Sequence, residues 1–233
     1  MPAPELSIVM PCLNEAAGIV SALEQLQPLR RRGAEVIVVD GGSSDGSAAL
    51  AAPLADRVLT AARGRASQMN AGAAGAHGDL LLFLHADCTL PADADRLAAG
   101  GLAASGKRWG CFDVRLTGAH PLLKVIAFMM NWRSRLTGIA TGDQGIFVTR
   151  GLFAAVGGFP EIALMEDVAL SKLLKSHAAP LRLREPIIAS GRRWEQCGVL
   201  RTILLMWQLR LAYFLGAAPA DLAVRYGSNR RRD

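Results

Sequence analysis

The stretch that most constrains this chain is Asp79 to Thr89, DLLLFLHADCT. Four of the five residues from Leu80 to Leu84 are Leu, with a Phe among them, which reads as a strand buried on both faces that runs straight into His85-Ala86-Asp87. A strand covered on both faces needs helices on both sides of its sheet, and sheets of that kind bind ligands in the crevice outside the carboxyl ends of their strands. Asp87 is therefore the first candidate site residue. The competing reading is a turn aspartate ahead of Pro91.

The same arrangement recurs upstream. Leu6 to Met10 is a short apolar strand, followed by Pro11-Cys12-Leu13-Asn14-Glu15 and a helix from about Ala16 to Arg31 that Gly33 ends. Ala34 to Val39 is a second buried strand ending at Asp40, and its loop, GGSSDGS, leads to a helix near Ala48 that Asp45 and Ser47 can cap. Position 43 is Ser, so the GxGxxG dinucleotide fingerprint is absent and a dehydrogenase is disfavoured. Arg57 to Thr60 reads as a third, short strand. Arg63 and Arg65 then flank Gly64 at the entrance of a small-residue helix, where charge and helix dipole together suit a diphosphate; a solvated arginine pair is the alternative. This alternation predicts βαβ units with right-handed crossovers, bringing Asn14 and Glu15, Asp40, and Asp87 to one sheet edge.

The 233 residues contain no linker or repeat, which predicts one domain. Downstream, Pro91 to Leu102 reads as a helix and Trp109 to Leu116 as a strand at one edge of the sheet. Leu122 to Met130 reads as a core helix, with a membrane-facing or dimer-facing helix as the alternative. Ile146 to Thr149 and Pro186 to Ala189 are the remaining strands. Glu166 and Asp167 open a helix, where the dipole favours them whatever they do; the functional reading is a general base.

Val199 to Leu215 is strongly apolar, but Arg201 and Arg210 interrupt it and argue against a span. The net charge is +6, and half of it falls in the last nine residues, RYGSNRRRD. Without a nucleic-acid motif, the chain is expected to bind none. The C-terminal helix and Arg tail instead suggest peripheral membrane contact. The N-terminus lacks a signal-peptide pattern, so a cytoplasmic protein is expected, with the inner face of the membrane as one location. Cys12, Cys88, Cys111 and Cys197 lack paired spacing, which predicts reduced thiols and no zinc site.

In order, the PCLNE loop, VVDGGSSDGS, RGRxxQMNAG, the strand ending in HAD, and GGF followed by Glu166-Asp167 resemble the family-2 glycosyltransferases of GT-A fold. The resemblance runs from about Leu6 to Trp194. It implies a Rossmann-like, mostly parallel sheet with helices on both faces. The nucleotide-binding half would reach about residue 105, the acceptor half about residue 196, and the apolar helix and basic tail would fill 197–233.

The resemblance also implies roles. Pro11, Asn14, Glu15, Asp40 and Asn70 would hold the nucleotide, with Arg63 and Arg65 beside its diphosphate. Asp87 and His85 would hold Mn²⁺ or Mg²⁺; His85 stands where the family has the first Asp of DxD, which tilts the choice toward Mn²⁺. Asp167, with Glu166, would be the catalytic base, and Asp143, Gln144, Arg193 and Trp194 would face the acceptor. HAD, TGDQ, MED and SGRRW look like a small bacterial subgroup of such enzymes. The implied activity is inverting transfer of one sugar from a nucleotide-diphosphate sugar, with a lean to uridine, to a small or lipid-linked acceptor. A non-catalytic sugar-nucleotide binder and a nucleotidyltransferase are the alternatives.

Overall fold

The computed structural model describes residues 5–228. Its strands are β1 Leu6–Cys12, β2 Glu35–Asp40, β3 Arg57–Thr60, β4 Leu80–Phe83, β5 Cys88–Thr89, β6 Trp109–Thr117, β7 Ile146–Thr149 and β8 Leu181–Ser190. They form one sheet in the order β3-β2-β1-β4-β7-β6-β8-β5. Four pairings are parallel (β1 with β2, β1 with β4, β2 with β3, β6 with β8). Three are antiparallel (β4 with β7, β5 with β8, β6 with β7).

The buried strands alternate between two cores, as a period of two requires. Ile8, Met10, Val36, Val38, Leu80 and Leu82 face one side, packing with α1 (Ile19–Arg31), α4 (Ala94–Ser105) and α5 (Leu122–Thr137). Val9, Ile37, Val39, Leu81 and Phe83 face the other, against α3 (Arg65–Gly75), α6 (Arg150–Ala155) and α7 (Glu166–His177). Each such side chain contributes about 1.5–3 kcal/mol on burial. Helix α3 comes especially close to the sheet. A Cβ built at Gly72 would stand 2.3 Å from Val9 Cγ1, so only glycine permits this packing.

Three expectations need correction. The Trp109 strand is internal, hydrogen-bonded to β7 and β8, and its first four residues are buried. The last strand begins at Leu181 rather than Pro186, because its first half pairs with Gly110 to Phe112 before a bulge. Helix α5 packs only one face into the core. Leu123, Ile126 and Ala127 are buried, whereas Val125, Phe128, Met129, Trp132 and Leu136 are exposed.

The short helices α2 (Ser47–Ala51) and α8 (Arg192–Gln196) are followed by α9 (Val199–Phe214) and α10 (Pro219–Ser228). Leu209 of α9 and Leu222 of α10 pack around Met165. The Arg tail, Arg230 to Arg232, lies outside the described residues. Among those described, no helix is long and apolar enough to cross a membrane. All four cysteines are unpaired.

Candidate active site

Parallel pairing brings the ends of β1, β2 and β4 to one edge, with Cys12 beside Asp40 and Val9 beside Phe83. Strand β7 runs the other way, and its first residue, Ile146, pairs with Phe83, so the turn Gly142–Gln144 arrives at this edge too. After β4 the chain crosses that edge. Cys88 and Thr89 pair with Ala189 and Ile188 of β8, so His85-Ala86-Asp87 bridges from the middle of the sheet to its far side. The Ser190 amide donates to the Asp87 carbonyl at 3.2 Å and ties this bridge to the SGRRW segment.

A cleft of about 1660 Å³ opens over the edge. Pro11, Glu15, Arg63, Arg65, His85, Asp87, Asp143, Glu166, Asp167, Arg193 and Trp194 all line it. Residues far apart in the chain thus share one concavity, the common form of a small-molecule site.

The side chains of Asn14, Asp40, Asn70 and Gln144 do other work. Asp40 is buried and accepts from the Gly42 and Ser43 amides, each at 3.0 Å, and from Ser43 Oγ at 2.5 Å, so it shapes its own loop. Asn14 Oδ1 accepts from the Ser44 amide at 2.9 Å. Asn70 Nδ2 donates to the Phe159 carbonyl and Asn70 Oδ1 accepts from the Phe159 amide, both at 2.9 Å, clasping the GGF turn. Gln144 is buried; its Nε2 donates to the Phe112 carbonyl at 3.3 Å and its Oε1 accepts from the Thr141 amide at 3.2 Å. Backbone groups withdrawn from water at strand ends must be satisfied, and short polar side chains satisfy them.

The carboxylate pair sits on strained backbone. Among the described residues, two non-glycine residues have positive φ, Asn14 at 54° and Met165 at 70°, and both adjoin the cleft's functional loops. Met165 turns the chain into α7, leaving Glu166 buried and Asp167 half-exposed. Burial pushes the Glu166 carboxyl up, Asp167 adds to the rise, and Arg65, 4.0 Å away, opposes it. Asp167 Oδ2 accepts from the Gly142 amide at 2.8 Å and its Oδ1 from the Val168 amide at 2.7 Å, which fixes the carboxylate's direction.

Asp143, the next residue of the same turn, has Oδ1 3.2 Å from His85 Nδ1. Burial opposes its charge, but the His85 bond, the His85 charge, and Arg65 and Arg210 together hold its carboxyl below the usual range. Ligand atoms of His85, Cys88 and Asp143 all lie within 4.8 Å of one another, a group able to hold a metal ion. Asp87 is exposed and outside this trio. Burial pushes the Cys88 thiol well up.

Reading the sequence for strand ends missed several cleft residues. Gln68 is buried in α3 and its Nε2 donates to the Cys12 carbonyl at 2.8 Å and the Val39 carbonyl at 2.7 Å, locking β1 to β2 under the cleft. Tyr226 of α10 lies 3.7 Å below the Arg193 guanidinium carbon and accepts its hydrogen bond. Arg133 of α5 and Arg210 of α9 line the cleft within the electrostatic reach of Asp167. For Arg210 the signal was a charge inside the apolar run Val199 to Leu215; Arg133, between Trp132 and Ser134 in the polar end of its helix, gave none.

Solved structures with this architecture define the class. The chain aligns with Staphylococcus aureus TarS 1-349 in complex with UDP at a TM-score of 0.65, 17% identity, over 80% of this chain and 60% of that one. It aligns with the mannosyltransferase of Pyrobaculum calidifontis in complex with GDP-Man and Mn²⁺ at 0.62 and 20% identity, over 99% and 71%. The fold is that of the GT-A glycosyltransferases. Residues 7–148 match the model of glycosyl transferase family 2, and the chain belongs to that family. It is 34% identical to the succinoglycan biosynthesis protein ExoA of Rhizobium meliloti over 66% of this chain and 52% of that protein. It is 33% identical to the PGL/p-HBAD biosynthesis glycosyltransferase of Mycobacterium bovis over 68% and 64%. The chain therefore spans between half and two thirds of the length of these relatives.

Proposed function

We propose that this chain moves one sugar, with inversion, from a nucleotide-diphosphate sugar, most readily a uridine one, to a small or lipid-linked acceptor. The observation that carries this reading is the turn Gly142–Gln144. Its Gly142 amide holds Asp167 and its Asp143 meets His85, so one short segment couples the base to the HAD bridge. Asp167 takes the proton of the acceptor hydroxyl. The acceptor oxygen bonds to the anomeric carbon from the face opposite the diphosphate, whose bond breaks with the electron pair leaving on the diphosphate oxygen. Arg63 and Arg65, on the cleft wall, offset that charge.

The family implies a divalent cation, and the residues suit one. His85 Nδ1 and Asp143 Oδ1, 3.2 Å apart, are nitrogen and oxygen donors of the kind Mn²⁺ takes, and Asp87 lies on the same bridge. His85 and Asp87 would hold Mn²⁺ or Mg²⁺, with Asp143 as a third donor. When bound, the cation neutralises charge on the departing diphosphate. The GDP-Man and Mn²⁺ of the Pyrobaculum enzyme and the UDP of TarS support a donor and metal of this kind.

The apolar rim of the cleft, carried by α5 and α9, supports peripheral attachment to an anionic bilayer. Leu200, Leu204, Trp207, Leu211 and Phe214 form one exposed stripe along α9, with Phe214 78% exposed. On α5, Val125, Phe128, Trp132 and Leu136 form another, with Phe128 63% exposed. Lys124 and Arg201 stand exposed on the same helices. Such a surface is expected to pellet with anionic liposomes at low salt and to release as salt rises. Recovery of the protein in the supernatant, or as a stable dimer that covers these stripes, refutes attachment.

The testing experiment is binding and hydrolysis across UDP-, GDP- and TDP-sugars with Mn²⁺, Mg²⁺ or EDTA, alongside Asp87→Ala. Metal-dependent binding of one donor, lost in Asp87→Ala, is the expected result. Failure of every donor under every metal overturns the reading.

A further inference from the structure

The HAD bridge brings a sulfur donor to the cleft floor that the transfer just described does not use. The Cys88 amide donates to the His85 carbonyl at 3.1 Å, closing His85-Ala86-Asp87-Cys88 into a turn. A turn of this kind brings its first and fourth residues within about 7 Å, Cα to Cα, and closely spaced donor pairs are how many zinc sites are built. Counting cysteines alone misses the pair, because the residue three before Cys88 is a histidine. Asp143 reaches in from the Gly142–Gln144 turn, its Oδ1 3.2 Å from His85 Nδ1. Ligand atoms of all three residues lie within 4.8 Å of one another. Around a tetrahedral zinc ion, with bonds of about 2.0–2.3 Å, neighbouring donors stand about 3.4–3.6 Å apart. The nitrogen–oxygen edge is already near that length, and the sulfur edges need to close by about 1.2 Å or less.

This set differs from the one that would serve the donor's diphosphate. Asp87 is exposed and outside the trio, and its Oδ1 accepts from the Cys88 thiol at 3.7 Å. Nitrogen and oxygen donors suit Mn²⁺, whereas a sulfur donor selects thiophilic ions. We propose that His85, Cys88 and Asp143 form a site for Zn²⁺ or a similar thiophilic divalent ion, and that its occupation inhibits the transfer by taking His85 from the cation of the diphosphate. On binding, a metal–sulfur bond forms and the thiol proton leaves to water. The hydrogen bond between His85 and Asp143 gives way to one bond from each to the ion, and with Nδ1 so engaged the imidazole carries its proton on Nε2. His85 and Asp143 line the cleft, so the ion enters from that side and meets the buried sulfur on its inner face. Three protein donors leave one coordination position for water. The inhibitory part of this inference rests on the transferase reading; the binding part does not.

The test is titration of the full chain with Cd²⁺, a thiophilic probe whose bond to a thiolate gives an ultraviolet charge-transfer band, beside Zn²⁺ inhibition of Mn²⁺-dependent donor turnover. The band is expected to saturate at one ion per chain, to vanish in Cys88→Ala, and to persist in Cys12→Ala, Cys111→Ala and Cys197→Ala. His85→Gln and Asp143→Asn are each expected to weaken Cd²⁺ binding by about tenfold or more. In Cys88→Ala, Zn²⁺ is expected to inhibit only at about tenfold or more higher concentration, while UDP affinity holds. Absence of the band in the unaltered chain overturns the site, and so does its persistence in folded Cys88→Ala. Unchanged Cd²⁺ affinity in both His85→Gln and Asp143→Asn reduces the site to a lone thiol and overturns it too, however Cys88→Ala folds. Equal Zn²⁺ inhibition of the unaltered chain and Cys88→Ala overturns the inhibitory role. The Cd²⁺ band does not depend on turnover, so failure to turn over any donor counts against the transferase, while the site stands or falls on the titration.

Discussion

Replacing Gly142 by alanine isolates the coupling between Asp167, the proposed base, and the HAD bridge. The new Cβ would stand 2.2 Å from His85 Cε1 and 2.5 Å from Nε2. Carbon atoms rest about 3.5–4.0 Å apart, so the imidazole must retreat by about 1.3 Å or more. Its Nδ1 is already 3.2 Å from Asp143 Oδ1, near the limit of a hydrogen bond, and that contact breaks. Overpacking of this sort costs about 1–3 kcal/mol of stability. Misplacing a catalytic constellation by about 1 Å costs about 100-fold in turnover. Gly72→Ala provides the control, because its Cβ meets Val9 Cγ1 at 2.3 Å in the core and away from the cleft. Both variants are made, their melting temperatures measured, and donor turnover followed against Mn²⁺ concentration. The reasoning requires comparable losses of stability in both, with the 100-fold fall in turnover and a weakened Mn²⁺ response confined to Gly142→Ala. Equal turnover in the two variants would refute it.

Asp167→Asn removes the proton acceptor and, because an amide nitrogen cannot accept, one of the two backbone hydrogen bonds that orient the side chain, so turnover should fall by about 10²–10⁴-fold with donor affinity unchanged; undiminished turnover would move the base elsewhere. Glu166 gives a pH signature. Its folded-state pKa is raised, by burial first and by Asp167 second, so the fold favours its protonated form and loses stability as pH rises through that value. Glu166→Gln should therefore raise the melting temperature at neutral pH and leave it unchanged at acid pH, and the reverse pattern in thermal scans would contradict the assignment. Asn70→Ala removes two hydrogen bonds to Phe159 and should cost about 1–3 kcal/mol in urea unfolding while UDP binding holds; a loss of UDP affinity without destabilisation would return Asn70 to the nucleotide site.

Where the signal in the chain is local, the fold and cleft are legible. An apolar run followed by a carboxylate marks a strand end, and β1, β2 and β4 do bring the Pro11–Glu15 loop, Asp40 and the HAD bridge to one edge. What those runs do not carry is the partner of each polar side chain. Asp40 and Asp87 look alike in sequence, each closing a strand. The tight GGSS loop turns the amides of Gly42 and Ser43 onto Asp40, whereas the HAD bridge leaves Asp87 exposed. Strand β6 reads as an edge for the same reason. Its alternation describes one wetted face near its end, and only the long-range pairing with β7 and β8 shows that it is internal.

Arg210 shows how one residue can carry two meanings. Inside VLRTILLMWQLRLAYFL it counts against a membrane span, and that inference needs only the cost of a charge in hydrocarbon. The cost has a second consequence. A protein that buries an arginine in an apolar helix must supply it with negative charge, from within the fold or from a ligand. For Arg210 the fold supplies part, through Asp167 and Asp143; for Arg133, in the facing helix, two nitrogens are left over. Both helices also turn apolar side chains outward, Val125, Phe128, Trp132 and Leu136 on α5 and Leu200, Leu204, Trp207, Leu211 and Phe214 on α9.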